Sequence, residues 1–128
     1  MANVKHIRAD FVPGHWQFVT DRGKSFAIES GSSPYDYLFG ALSGCLFSTF
    51  ADLARKMKVA WEHVSFEIDG EKRSEVPTTL DWVTVKVTAT GADDQAKFTK
   101  AFETATRYCS IYTTISKVAR MEWSVTFA

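Results

Sequence analysis

Three stretches of the chain alternate apolar and polar positions with a period of two. Val64, Phe66 and Ile68 interleave with Ser65, Glu67 and Asp69; Val83, Val85 and Val87 with Thr84, Lys86 and Thr88; Trp123, Val125 and Phe127 with Ser124 and Thr126. Successive side chains of a strand point to opposite faces. Each stretch therefore predicts a strand with one face on a core and one in water, the habit of antiparallel sheets. Upstream, Trp16 and Phe18, then Phe26 and Ile28, flank the turn-forming residues 20–24 (TDRGK) and predict a hairpin. Residues 3–9 read as an edge strand. Residues 70–81 (GEKRSEVPTTLD) are polar, contain Pro77 and read as a loop between two strands.

Two segments carry the helical period instead. From Pro34, suited to a first helical turn after Ser33, Leu38, Leu42, Cys45, Thr49 and Leu53 fall on one stripe. Phe39, Leu46, Phe50, Leu53 and Met57 form another beside it, and Arg55, Lys56 and Lys58 complement the negative end of the helix dipole. A second helix is predicted to start at the N-cap pair Asp93 and Asp94, with the stripe Phe98, Ala101, Phe102, Ala105 and Cys109. A shorter helix through Ile111, Ile115 and Val118 follows it. The order of strands, long helix, strands, helices and strand predicts a single α+β domain over residues 1–128 built on an antiparallel sheet. The first helix is apolar on more of its circumference than one small sheet covers, which predicts an isologous homodimer.

Charge and composition narrow the function. Fifteen basic residues balance fifteen acidic ones, so no excess positive charge is available for a phosphate backbone, and nucleic acid is not an expected partner. The start, MANVKHIRADF, has no apolar signal-peptide region. The longest uncharged run, residues 37–51, is 15 residues, short of the ~20 that span a bilayer. No membrane association and a cytoplasmic location are therefore expected, where thiols are kept reduced. His6, His15 and His63 stand singly, with no helical pair and no CxxC, so a zinc site is not expected. Nucleotide-binding glycine patterns and a GxSxG elbow are absent as well, and no cofactor is expected.

Chemistry then rests on Cys45 and Cys109. Both fall on apolar stripes, where cysteine commonly serves as a small filler. Each is also flanked by small or hydroxyl residues, Ser43-Gly44 before Cys45 and Ser110 after Cys109, which leave room for a second sulfur or a small substrate. Each lies on the face its helix would present to the other. Inert filler and reactive thiol both stay open on position alone.

The residues around the two cysteines carry a resemblance. Pro34-Tyr35-Asp36, Leu38 and Ala41-Leu42-Ser43-Gly44-Cys45 resemble the "P-x-E-L-L…A-L…C" segment of the OsmC/Ohr family, the osmotically inducible and organic-hydroperoxide-resistance proteins. The stretch Tyr108-Cys109-Ser110-Ile111-Tyr112-Thr113-Thr114 is similar to that family's "Y-C-P-[VI]-x-x-T". The spacing of the cysteines and the order of elements agree with it, over roughly residues 20 to 128. The resemblance implies an intertwined homodimer, its sheet wrapped on two central helices, that reduces organic hydroperoxides. Cys45 would be the peroxidatic thiol and Cys109 the resolving one, with an external dithiol as reductant.

Two departures from the family pattern bear on the site. The family's glutamate, ten positions before the first cysteine, is here Tyr35; the nearest acid is Asp36, a shift that resembles the OsmC-like branch. Ser110 stands where the family usually has proline. Cys45 lies well inside its helix, so a cation is expected to lower its pKa. Arg22 is the first choice, with Arg8 and Arg107 behind it. The expected catalytic set is thus Cys45, Cys109, Asp36 and Arg22. The alternative is a non-catalytic member of the same fold, a redox-sensing or small-molecule-binding dimer.

Overall fold

A computed structural model describes residues 3–29 and 31–128, and the chain separates into two compact units, Met1–Leu38 and Phe39–Ala128. In the first unit β1 (Ile7–Val12), β2 (His15–Thr20) and β3 (Ser25–Ala27) form an antiparallel sheet in the order β1-β2-β3. The strand expected over residues 3–9 lies later in the chain, because Pro13 and Gly14 close a tight turn with Val12 opposite His15. Gly14 has φ 80°, a value that costs glycine nothing. The hairpin expected around residues 20–24 joins β2 to β3, with Thr20 and Lys24 bonded across the turn. Phe11, Trp16, Phe18 and Phe26 share one face: the Phe11 and Trp16 rings meet edge-on and Phe18 stacks on Phe26. Phe11, Trp16 and Phe26 remain exposed.

The first helix, α1 (Pro34–Lys56), begins in this unit. Pro34 occupies its first position, and the Asp36 carboxylate accepts a hydrogen bond from the Ser33 backbone N–H at 2.8 Å, one arm of a capping box. Further along, the fully buried positions are Leu42, Leu46, Phe50 and Ala54. This line runs between the two stripes expected from sequence, so Cys45, Thr49 and Leu53 flank the core rather than fill it. At 23 residues, with a mean hydropathy of 1.3 over its most apolar stretch, α1 is long and apolar enough to cross a bilayer by length and composition. The sequence estimate counted only the charge-free run and so understated it. A helix that packs on several sides within a protein reads the same way.

The second unit holds the core. Here β4 (His63–Lys72), β5 (Leu80–Thr90) and β6 (Arg120–Phe127) lie in the order β4-β5-β6. Between β5 and β6 the chain makes α2 (Gln95–Tyr108) and α3 (Ser110–Ser116). The β4–β5 pairing is antiparallel, but β5 and β6 run parallel, so the sheet is mixed where an antiparallel one was expected. Alternation reports that one face is wet, not which way a neighbour runs. A parallel neighbour requires a crossover, and α2 with α3 supplies it. The residue 70–81 loop also shrinks, since β4 continues to Lys72 and β5 starts at Leu80.

The two aspartates expected to cap α2 divide the work. Asp94 is the cap, accepting from the Lys97 N–H at 3.0 Å, while Asp93 accepts from the Ala60 N–H and ties down the chain beyond α1. Val83, Val85, Val87 and Ala89 of β5 and Phe98, Ala101, Phe102 and Ala105 of α2 are all buried. Phe50 of α1 lies 4.6 Å from the Phe98 ring and 6.1 Å from Phe102, which also meets Phe66 and Trp123. This aromatic cluster fixes α1 against α2.

Phe102→Ala empties the centre of that cluster and should lower the unfolding free energy by about 3–5 kcal/mol, measured by denaturant titration. Asp94→Ala, which removes one cap, should cost about 1 kcal/mol in the same assay.

Candidate functional site

Cys45 sits on α1 one position before the buried Leu46 and is half-buried; Cys109 is 1% exposed. The periodicity placed Cys109 on the stripe of α2. In the structure it lies just outside, in extended backbone (φ −71°, ψ 118°) that ends α2 and opens α3. Its N–H completes α2 on the Ala105 carbonyl, and its sulfur accepts from the Tyr112 N–H at 3.4 Å. One residue is both C-cap and N-cap. The spacing of buried positions runs on unbroken from Ala105 through Cys109 to Tyr112 and Ile115, so apolar periodicity had no way to mark the break.

This junction turns Cys109 toward α1. The two sulfurs stand 3.2 Å apart, both as free thiols, with the Cys109 S–H donating to the Cys45 sulfur. A disulfide needs ~2.03–2.05 Å, so a shift of about 1 Å closes the bond. The Ser110 hydroxyl oxygen lies 4.0 Å from the Cys45 sulfur on the other side of the junction.

The surroundings separate the two thiols. Burial alone pushes the Cys45 thiol up. Hydrogen bonds from the Ile111 N–H, the Cys109 thiol, and the Ser110 hydroxyl and N–H outweigh it and hold Cys45 below the ordinary thiol value. Burial likewise pushes Cys109 up; its hydrogen bond with Cys45 and the charge on Cys45 raise it further, and the Tyr112 N–H only partly offsets this. The pair therefore holds one proton over a range of pH, with the charge on the more accessible sulfur. Neutral donors from the start of α3 take part in this lowering. Sequence reading noticed Ser110 as a small neighbour but missed it and Ile111 as donors. The hydroxyl next to Cys109 was the available signal.

Ser43, Gly44, Phe47, Val64 and Phe66 line an open groove of about 280 Å³ between α1 and β4, and neither cysteine is among its lining residues. Its lining is largely apolar, and Gly44 directly precedes Cys45. Among the described residues no three His, Cys, Asp or Glu side chains gather as a metal site.

Arg107, in the last turn of α2, pairs with Glu103 at 3.8 Å. Arg22 and Asp36 belong to the N-terminal unit. Arg22 lies in the β2–β3 turn, its N–H donating to the Thr20 hydroxyl, and the Asp36 carboxylate caps α1. Arg8, in β1, pairs with Asp10 at 3.1 Å. The structure thus brings the two cysteines together and gives Asp36, Arg8 and Arg107 partners of their own.

Comparison with known proteins agrees with this architecture. Three solved structures share the fold over nearly the whole chain. An OsmC-like protein from Mycoplasma pneumoniae matches with TM-score 0.86 at 13% identity, covering 100% of this chain and 99% of that one. An organic hydroperoxide resistance protein OsmC from Legionella pneumophila matches at 0.76 and 14%, covering 98% of each chain. The organic hydroperoxide resistance protein OhrB of Bacillus subtilis matches at 0.68 and 14%, covering 97% and 98%. No curated protein matches in sequence. The model of the family described as OsmC-like protein matches residues 27–124, and the chain belongs to that family.

Proposed function

We propose that the protein is a thiol-dependent peroxidase that reduces organic hydroperoxides through a two-cysteine cycle. The observation that carries this reading is the pair of free sulfurs 3.2 Å apart, one lowered and one raised in pKa. The Cys45 thiolate attacks the terminal oxygen of the hydroperoxide. The O–O bond breaks, and the alkoxide takes a proton from water and leaves as an alcohol. The sulfenic acid on Cys45 then condenses with the Cys109 thiol: an S–S bond forms, the S–O bond breaks, and water departs. An external dithiol returns two electrons by exchange. An alkyl tail gains from burial against apolar side chains, and this favours organic hydroperoxides over hydrogen peroxide.

Two further elements belong to the proposal. The exposed aromatic face of the N-terminal sheet, with Phe11, Trp16 and Phe26, is what a homodimer would cover. Arg22, from either copy, is retained as the candidate cation that lowers the Cys45 pKa, with Asp36 as the acid acting through it. The organic hydroperoxide resistance proteins from Legionella pneumophila and Bacillus subtilis support the substrate class by their names and their shared fold.

Replacing each cysteine separates the roles. Cys45→Ser should abolish consumption of an alkyl hydroperoxide. Cys109→Ser should complete one turnover and leave a sulfenic acid on Cys45 that a dimedone probe traps. Equal activity in all three proteins would contradict the assignment. The initial rate should also rise with pH as Cys45 deprotonates and level off below the ordinary thiol pKa, because hydrogen bonding favours the charged form. A plateau reached only above that value would argue that Cys45 is not the attacking thiol.

A further inference from the structure

The serine that opens α3 has a hydroxyl with a different task from its neighbours'. Thr114 donates to the Ser110 carbonyl at 2.9 Å and Ser116 to the Thr113 carbonyl at 2.6 Å, the local back-bonding usual for helical hydroxyls. The Ser110 hydroxyl instead faces the Cys45 sulfur from the next element, at 4.0 Å. From the geometry we infer that Ser110 is the permanent side-chain hydrogen-bond donor to the Cys45 thiolate and lowers the pH at which that thiol becomes reactive. This rests on the reading of Cys45 as the attacking thiol.

The chemistry of the two donor side chains beside Cys45 distinguishes them. Cys109 donates only while it is protonated, and it must surrender that proton when it closes the disulfide. A serine hydroxyl does not titrate in water's ordinary range, so it can donate before, during and after that step. Ser110 also keeps its backbone N–H, which a first helical residue has no intrahelical partner to satisfy. Among the described residues the titratable groups that act on one another here are Cys45, Cys109 and Tyr112, and Tyr112 is pushed up by burial and by the charge on Cys109. Arg107 on α2 is engaged with Glu103.

The test is the pH dependence of iodoacetamide alkylation at Cys45 in the reduced full chain, read by peptide mass spectrometry. Ser110→Ala should raise the midpoint by roughly one pH unit and slow alkylation about tenfold well below it, the effect of losing one donor to a charged group. Ser110→Thr restores a hydroxyl and should keep the wild-type midpoint. A wild-type midpoint in Ser110→Ala overturns the inference, as does an equal shift in Ser110→Thr and Ser110→Ala. A protein that leaves hydroperoxide untouched yet shows the Ser110 shift would sink the peroxidase reading while sustaining this one.

Discussion

Two sulfur atoms held 3.2 Å apart, from helices far apart in the chain, are the constraint around which the rest of the second unit is arranged. That distance lies between contact and bond, and holding it requires both helices to be fixed in rotation and in height. For α1 the fixing is done by Leu42, Leu46, Phe50 and Ala54, buried one turn after another, with Phe50 against Phe98 and Phe102 of α2. Cys45 is carried on the flank of that line. It is anchored through its neighbours and only half-buried.

For Cys109 the fixing is done by the break between α2 and α3. Cys109 still gives its N–H to the Ala105 carbonyl and its own carbonyl to the Thr113 N–H, but its extended backbone takes the side chain off the path a continuous helix would give it. By ending one helix and capping the next, Cys109 aims its sulfur at α1 and brings the first polar groups of α3 to the same point. The geometry and the electrostatics of the site therefore share one cause. The junction that supplies the second thiol also supplies the donors that favour charge on the first, and burial favours the proton on the second.

The class of fold was legible in the sequence because it depends on periods. The strands after α1, the long apolar helix and the Asp94 cap all follow from local pattern. Direction was not legible: Trp123, Val125 and Phe127 alternate identically whether β6 runs with β5 or against it, and only the crossover decides. The turn at Pro13-Gly14 carried a usable signal that the reading of residues 3–9 overlooked. At the site, the two cysteines and the facing of their helices could be read. The helix break at Cys109 could not, since buried positions continue across it without a change of spacing. The neutral donors to Cys45 could not be read either, because they come from another helix than its own.

One equivalent of an alkyl hydroperoxide added to the fully reduced protein, followed by thiol titration and intact mass, tests the central claim most directly. Loss of both free thiols together with two hydrogens, and a Cys45–Cys109 crosslinked peptide after digestion, is the predicted result. Two thiols surviving unchanged would contradict it and return the cysteines to the role of core packing.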